Sequence, residues 1–250
     1  MTGVQTCALP ILSQASADQR RGRAGRLEPG VCYRLWPEEA QRGLLPFTPP
    51  EILDADLAPL ALELAVWGAD AATLPWLTPP PAAALATARG LLTDLGAIDA
   101  AGAVTAHGRA MSRIGLHPRL AHLVLKGRES GHGRVAALLA AILSERDFLR
   151  LPPGQRDVDL RHRVDLALQG KAPRQLLEMA RRLTHGKDSD SAATGALLSL
   201  AYPDRIGRRR AATGGRYLLS GGRGAVVPEG DPLGRSEEHT SELQSRFGIS

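Results

Sequence analysis

Four arginines and two glycines follow Gln19 within seven residues, in the order QRRGRAGR. Arg23 and Arg26 are three residues apart, so on a helical turn their guanidinium groups would project from one face and converge on one anion. Arginine suits such a contact because its planar fork of N–H donors matches phosphate oxygens. Gly22 and Gly25 leave that surface bare, so a phosphate or a neighbouring domain can approach closely. The segment therefore predicts a phosphate-contacting cluster.

The order of these residues is more specific than a run of positive charge, which would indicate only a general basic patch or a solvated turn. QRRGRAGR resembles the last conserved motif of superfamily-2 helicases, in the form typical of the DEAH-box branch. Later segments extend the resemblance to the bacterial HrpB-type ATP-dependent helicases over residues 12–234: LEPGVCYRLW, FTPPEIL, LHPRLAHLVL, LAYPDRIGRRR and GRYLLSGGRGA.

The resemblance implies a cofactor and a role for individual residues. In such helicases this motif belongs to the second RecA-like domain and reaches the γ-phosphate of ATP, bound with Mg²⁺ mainly by the first. It implies that Gln19, Arg23 and Arg26 contact the nucleotide beside Gly22, with Arg26 as the arginine finger. A finger stabilises charge on the transferring phosphoryl group and is worth about 10³ to 10⁵ in rate.

The sequence contains no G-x-x-x-x-G-K-[ST] loop that could hold the phosphates. Gly170-Lys171 and Gly186-Lys187 lack both the upstream glycine and the following Ser or Thr, and there is no credible acidic Mg²⁺-binding motif. We therefore expect a C-terminal fragment that needs a first RecA-like domain outside this chain. Alone, it should neither bind nor hydrolyse ATP.

Both ends of the chain read as foreign. Residues 1–11 are MTGVQTCALPI and residues 235–245 are RSEEHTSELQS. One DNA segment, read forward and as its reverse complement, can encode both, which resembles a translated sequencing-library adapter. The alternative is coincidence between two polar segments. We expect residues 1–11 and 235–250 to lie outside the natural protein.

The composition favours a mainly α fold. Hydrophobic residues make up 43% of the chain and aromatic residues 4%, and the apolar residues are mostly Ala and Leu, which lose little rotamer freedom in a helix. No apolar stretch approaches the roughly 18 residues needed to cross a bilayer, so no membrane partner is expected. With two cysteines and no basic leader, the cytoplasm is the expected compartment.

The resemblance and the helical spacing divide the natural part into four regions. Residues 12–42 are the end of the second RecA-like domain, 43–115 a winged helix, 116–202 a helical-bundle (ratchet) domain, and 203–234 the basic start of an OB-like β segment. Ser16 or Asp18 is expected to cap the first helix. Pro37 and residues 43–50 are expected to form a linker.

The winged-helix region has apolar residues at helical spacing over residues 57–64 and 85–95, ending at Gly96, and a small hairpin over 97–105. It is either a DNA reader or a structural joint between the helicase core and the accessory domain. The second helix has Arg89 as its only basic residue, too little for a recognition helix, so we favour the joint.

Two tryptophans and two histidines in the middle of the chain have structural interpretations. Trp67 and Trp76 are expected in a core or an interface rather than as base-stacking platforms. His117 and His122 are five residues apart without a Cys or carboxylate set, so we expect helix-terminal or packing roles and no metal. Three amphipathic stripes are predicted further on: Val135, Leu138, Leu139, Ile142 and Leu143; Leu176, Leu177, Ala180 and Leu183; Ala193, Ala196, Leu197 and Leu200.

The last natural segment is the most basic, with Arg205, Arg208, Arg209, Arg210, Arg216 and Arg223 around Tyr217. Arg216–Leu219, a Gly221-Gly222 turn and Ala225–Val227 predict a hairpin. Arginines with an exposed aromatic suit single-stranded nucleic acid, through phosphate contacts and base stacking. A solvated basic loop is the alternative, and both stay open.

The motifs together favour the C-terminal part of an ATP-dependent HrpB-type helicase that acts on nucleic acid, with RNA favoured by the resemblance. A non-enzymatic winged-helix nucleic-acid-binding module is the alternative. It explains the middle of the chain but not the set Gln19, Arg23 and Arg26. A third hypothesis is an assembly artefact with no biological role.

Overall fold

The computed structural model of the chain describes residues 12–152, 157–210 and 215–227. Across these three ranges the chain is mainly helical with one small antiparallel sheet, which confirms the predicted fold class at that level. Residues 1–11 and 235–250, predicted to be foreign, lie outside the described residues.

The helices and strands are short. The helices are α1 Gln14–Arg23, α2 Glu38–Gly43, α3 Ala58–Trp67, α4 Ala82–Asp94, α5 Ala106–Ser112, α6 Pro118–Glu129, α7 Gly133–Ser144, α8 Leu160–Leu168, α9 Arg174–Leu183 and α10 Thr194–Ala201. The strands are β1 Gly207–Arg209, β2 Arg216–Leu219 and β3 Gly224–Val226. No helix in the described ranges is long and apolar enough to cross a membrane.

The chain divides into two compact units. The described part of the first comprises residues 12–55 and 76–81, and that of the second comprises residues 56–75 with the described residues from 82 to 227. The predicted division at residues 43, 116 and 203 is a finer one and stays a prediction.

Helix α1 begins one turn earlier than predicted. The Ser13 side chain accepts a hydrogen bond from the Ser16 backbone N–H, which makes Ser13 the N-cap. Ser16 and Asp18 lie inside the helix, so their predicted capping role is wrong. The Thr48 hydroxyl donates to Ser13 Oγ over 3.1 Å and fixes the cap.

Helix α2 lies between Pro37 and the rest of the predicted linker, and only its last residue, Gly43, belongs to the predicted segment 43–50. Pro37 is the N-cap of α2, and Trp36 Nε1 donates to Gln41 Oε1 over 2.9 Å. The residues that follow α2 contact the start of α1, because the backbone N–H of Gln14 donates to the Leu45 carbonyl. Residues 38–43 are therefore part of the first unit's structure rather than a free connection.

The region predicted to be a winged helix has the two predicted helices, α3 and α4. Gly96 follows α4 with φ 68°, a left-handed conformation that glycine adopts without strain. The predicted hairpin is reduced to one antiparallel bridge between Ile98 and Val104. Helix α5 follows directly, with Thr105 as its N-cap.

Helix α7 lies at the centre of the second unit's core. Nine of its residues are buried, so it packs on nearly all sides and the predicted stripe is only part of its contact surface. A Cβ at Gly127 of α6 would lie 2.2 Å from the Ala136 Cβ. The close approach of α6 and α7 therefore requires glycine at 127.

Two predicted stripes have different outcomes. In α9, Leu176, Ala180 and Leu183 are buried as predicted. In the stripe at α10, Leu197 is buried and Ala193 packs against the core as predicted, whereas Ala196 and Leu200 are exposed, so half of that stripe is wrong. The buried residues are Thr194, Leu197, Leu198 and Ala201. In the sequence GALLSLA, one helical face would bury Leu197 and Leu200 and another would bury Leu197 and Leu198. Periodicity alone does not choose between these two faces.

A residue distant in sequence caps α7. The Asp188 carboxylate accepts hydrogen bonds from the backbone N–H groups of Arg134, over 2.7 Å, and Val135, over 3.0 Å. A Cβ at Gly186 would lie 2.8 Å from Asp188 Oδ1. The Arg128 guanidinium donates to the Leu183 carbonyl. The loop after α9 is thus fastened to the start of α7.

A buried arginine organises the segment before α8. Arg163 is 4% exposed. Its Nε and Nη2 donate to the Asp147 carboxylate over 3.0 and 2.6 Å. It also donates to the carbonyls of Asp157, over 2.7 Å, and Asp159, over 2.8 Å. These partners satisfy the charge inside the fold.

The three strands form one sheet in the order β1-β2-β3. Gly207 pairs with Leu219, and Arg216 pairs with Val226. The predicted β2–β3 hairpin is confirmed, with Gly222 at φ 81° in its turn. Strand β1 was not predicted, because the sequence GRR has no apolar alternation.

Candidate functional site

The predicted nucleotide cluster spans a helix end and the following turn. Gln19 and Arg23 are four residues apart on α1 and so share a helix face. Helix α1 ends at Arg23 with Ala24 as the C-cap, so Arg26 lies beyond the helix. The predicted single helical face for Arg23 and Arg26 is therefore wrong.

The arginines of this cluster are exposed and differ in their partners. Arg21 and Arg34 approach the Asp18 carboxylate at 3.8 and 2.5 Å. Among the residues the structure describes, Arg23 and Arg26 have no carboxylate partner. Their N–H donors are therefore available to an anion.

Glycine shapes the turn that carries Arg26. A Cβ at Gly30 would lie 1.8 Å from the Ala24 carbonyl oxygen. The backbone before Arg26 and the backbone after it therefore lie too close together for any residue other than glycine at position 30. A Cβ at Gly22 would meet nothing within 4 Å. The bare surface predicted at Gly22 is present, whereas the role of Gly30 was not predicted.

An exposed apolar row follows this turn. The exposed fractions of Val31, Tyr33 and Leu35 are 74%, 84% and 94%. They alternate with Cys32 and Arg34, which is the spacing of a strand with one apolar face. Within the described part of the chain this segment forms no strand, and nothing there buries the row.

The second predicted site is the basic sheet. In an antiparallel pair, partner residues lie on one face and alternate residues point to opposite faces. Arg208 pairs with Leu218, and the Arg210 N–H donates to the Arg216 carbonyl. Arg208, Arg210 and Arg216 therefore share the face that also carries Leu218. We call it the basic face.

The other predicted arginines lie elsewhere. Arg209 pairs with Tyr217 on the opposite face of the sheet. Arg223 is exposed in the β2–β3 turn. The Arg205 guanidinium carbon lies 4.9 Å from the centre of the Tyr202 ring, a cation–π contact. The six predicted arginines thus do not form one surface.

Two aromatic predictions have different outcomes. Tyr217, predicted as an exposed stacking platform, is buried at 5% exposure. It packs with Val227, Ala225 and Val158 and so belongs to the support of the sheet. Trp67, predicted in a core or interface, is 73% exposed in the last turn of α3, so it lies in no core of the described residues and an interface role stays a prediction.

A partly buried histidine pair joins α5 to α6 and was not predicted. His107 Nε2 and His122 Nδ1 are 2.9 Å apart, with the rings edge to face. Burial lowers the pKa of both rings, and for His122 burial, His107 and Lys126 lower it to about 4. One facing nitrogen must be unprotonated to accept the bond, so the pair needs at least one neutral ring.

The two histidines predicted as structural have structural contacts. His117 is the N-cap of α6, and its Nε2 lies 3.1 Å from Asp56 Oδ2. This hydrogen bond, with that from the Ala58 N–H, lowers the pKa of Asp56 to about 2. The described residues include no group of three or more His, Cys, Asp or Glu side chains that could hold a metal ion.

The chain is similar to curated ATP-dependent RNA helicases. It is 37% identical over 239 residues to "ATP-dependent RNA helicase HrpB" of Escherichia coli, covering 94% of this chain and 28% of the relative. A crystal structure of E. coli HrpB matches with a TM-score of 0.69 and 35% identity over 90% of this chain. The chain is therefore similar to a part of the HrpB-type helicases that makes up 28% of the E. coli relative. No family model matches it.

More distant helicases are also similar. The E. coli "ATP-dependent RNA helicase HrpA" is 35% identical over 66% of this chain and 13% of its own length. The human "Probable ATP-dependent RNA helicase DHX35" is 32% identical over 75% of this chain and 27% of its own length. The chain thus spans little more than a quarter of the HrpB-type relative and of DHX35.

Proposed function

We propose that this chain is the C-terminal part of an ATP-dependent RNA helicase of the HrpB type. The observation that carries the proposal is the similarity to E. coli HrpB across 94% of the chain, with exposed phosphate-type donors at the motif's arginines. In this proposal residues 12–42 end a RecA-like domain, 43–115 form a winged helix, 116–202 a ratchet domain, and 203–234 begin an OB-like segment.

The residues present fit one side of a bound nucleotide. Gln19, Arg23 and Arg26 offer exposed N–H donors, and Arg23 and Arg26 have no carboxylate partner in the described ranges. Their chemistry suits phosphate oxygens. ATP with Mg²⁺ would be held mainly by a first RecA-like domain, and Arg26 would face the γ-phosphate as the arginine finger.

The apolar row at Val31, Tyr33 and Leu35 supports the proposal that this segment belongs to a RecA-like domain. A row of three exposed, alternating apolar side chains is costly in water and is typical of a surface that another element covers. We infer that these residues pack within a larger RecA-like sheet. The cluster around Arg26 would then be positioned by that sheet.

The basic face supplies the nucleic-acid side of the proposal. Arg208, Arg210 and Arg216 share one exposed face, and guanidinium groups on a strand pair can follow a phosphate backbone. Since Tyr217 is buried, stacking by that ring has no part in binding. The relatives are named RNA helicases, so we propose single-stranded RNA as the nucleic acid. The proposed compartment remains the cytoplasm.

The finger assignment is tested in the full-length E. coli relative. Replacing the arginine aligned with Arg26 by alanine should lower RNA-stimulated ATP hydrolysis by about 10³-fold or more, while RNA binding stays within twofold. The matched control replaces the residue aligned with Arg42, an exposed arginine outside the motif that pairs with Glu38, and should leave hydrolysis nearly unchanged. Hydrolysis retained without the first arginine would refute the assignment.

The fragment's own properties are tested with the 250-residue chain. We expect no ATP hydrolysis above background, with or without oligo-U, because the sequence has no phosphate-binding loop. We expect salt-sensitive binding of labelled oligo-U that weakens when Arg208, Arg210 and Arg216 become alanine. Preferential binding of duplex DNA that survives these substitutions would favour the winged-helix module instead.

A further inference from the structure

The basic face stands on a sheet with little core of its own. The strands have three, four and three residues, and the buried apolar cluster beneath them consists of Tyr217 and Val227 with Val158 and Ala225 beside them. Such short strands are not stable without support from other elements. Contacts with the helices must therefore determine how the arginines are presented.

The contact with α6 is made by Arg119. Its Nη1 donates to Asp204 Oδ1 over 2.6 Å and its Nη2 to Asp204 Oδ2 over 3.1 Å. The same Nη1 donates to the Ala201 carbonyl over 2.9 Å. The guanidinium carbon also lies 5.0 Å from the Tyr202 ring centre. The Arg119 side chain is only 12% exposed, so this two-point pair is partly shielded from solvent screening.

Asp204 continues the connection to the far end of the sheet. Its carbonyl accepts a hydrogen bond from the Gly221 N–H over 2.9 Å. A Cβ at Gly221 would lie 2.9 Å from that carbonyl oxygen. The Ser220 hydroxyl donates to the neighbouring Pro203 carbonyl. Contacts thus run without a break from α6 through Asp204 to the turn between β2 and β3.

We propose that Arg119 is a positioning residue for the basic face, which it does not itself join. By holding Asp204 it fixes the β2–β3 turn and with it the direction in which Arg208, Arg210 and Arg216 point. This inference rests on the proposed binding of single-stranded RNA by that face. Without Arg119, the hairpin keeps its contact with Val158 but loses its fixed turn, and fewer arginines reach phosphates at once.

The test is the salt dependence of oligo-U binding by the 250-residue chain carrying Arg119→Met. Each phosphate contact adds about 0.7 to the slope of log affinity against log salt for a single strand. We expect that slope to fall by about 0.7 to 1.4, the loss of one or two contacts, with affinity at low salt reduced about fivefold or more. Arg119→Lys, which restores the charge and one donor set, should recover part of the slope.

Arg174→Met is the matched control. This substitution removes one arginine and its ion pair with Glu178. The Arg174 side chain is 90% exposed, and its helix, α9, takes no part in the contacts between α6, Asp204 and the β2–β3 turn. Its slope should equal that of the unchanged chain. Any decrease common to both variants would reflect net charge alone and would overturn the positioning role.

The slope separates positioning from a general loss of structure. A variant that merely unfolds more has fewer active molecules, but those that bind keep all their contacts and the original slope. An unchanged slope in Arg119→Met therefore overturns the proposal. If that variant does not fold, Asp204→Asn removes the carboxylate charge at the same shape and should give the same decrease, and an unchanged slope there overturns it equally.

Failure of the underlying function gives a different result. If the triple alanine variant of Arg208, Arg210 and Arg216 binds oligo-U with the affinity and slope of the unchanged chain, the basic face is not the RNA site. If the triple variant loses slope but Arg119→Met does not, the face binds RNA and Arg119 does not position it.

Discussion

The two units of this chain bury their side chains to very different extents. In the described part of the first unit only Ser13 and Ala17 are buried, while Val31, Tyr33 and Leu35 are open to solvent. In the second, a continuous core surrounds α7. The second unit therefore has a core of its own, whereas the exposed apolar and cationic groups of the first unit fit the proposed contact with another element.

Ion pairs should show the largest contrast. Arg163→Met in the second unit removes the buried guanidinium that pairs with the Asp147 carboxylate and should lower the free energy of unfolding by about 3–5 kcal/mol. Asp18→Asn in the first unit removes an exposed partner of Arg34 and should change it by less than about 1 kcal/mol. Urea denaturation measures both. Similar losses for the two variants would contradict the contrast.

Leucine truncation should separate the units next. Leu139 is fully buried in α7, and Leu139→Ala should cost about 2–5 kcal/mol through lost burial and a cavity. Leu35→Ala removes an exposed side chain and should stay within about 0.5 kcal/mol. Thermal unfolding followed by circular dichroism gives both values. A large loss at Leu35 would show that it is covered in solution.

Glycine-to-alanine changes should have opposite signs in the two units. Gly127→Ala forces a methyl group against Ala136 and should destabilise the second unit by about 1–3 kcal/mol. Gly22→Ala adds a methyl group in open space on α1 and should stabilise that helix by up to about 1 kcal/mol. Hydrogen exchange of the two helices reports each effect. Slower exchange in α6 of Gly127→Ala would refute the close packing of α6 and α7.

Mild acid should act on the second unit, since residues 12–55 and 76–81 contain no histidine. The pKa of His122 is lowered from 6.5 to about 4 in the folded chain, so the unfolded chain binds the proton more readily. This stability is complete above about pH 6.5 and is lost as pH falls toward 4, by roughly 1–2 kcal/mol. His122→Asn should flatten the dependence measured by urea denaturation at several pH values. An equally steep dependence in that variant would assign the effect to another group.

The sequence allowed local features to be predicted. The β2–β3 hairpin followed from its glycine turn, and part of the buried surface of α7 and most of that of α9 followed from helical spacing. Tyr217 did not, because Tyr217, Leu218 and Leu219 are all apolar and alternation cannot tell which face is buried. Likewise, the spacing of Arg23 and Arg26 is compatible with a helix that continues to Arg26, but α1 ends at Arg23.

The features that escaped prediction depend on distant partners. Strand β1 exists because Arg208 and Arg209 pair with β2, not because of any preference in GRR. His107 meets His122 only once α5 packs against α6. In the proposed nucleotide cluster, the residues could be named from the motif, but the tight approach at Gly30 depends on the path of the turn.

The cap that Asp188 places on α7 has a consequence for how the chain is made. The residue that satisfies the Arg134 backbone N–H lies 54 positions later, so at a synthesis rate of about 5–20 residues per second α7 waits roughly 3–10 s for it. Until Asp188 is made, the backbone N–H groups of Arg134 and Val135 lack this partner. Helix α7, in which nine residues are buried, is therefore synthesised before the side chain that caps its first turn. The capped form of this helix can be completed only after the loop that follows α9 has been made.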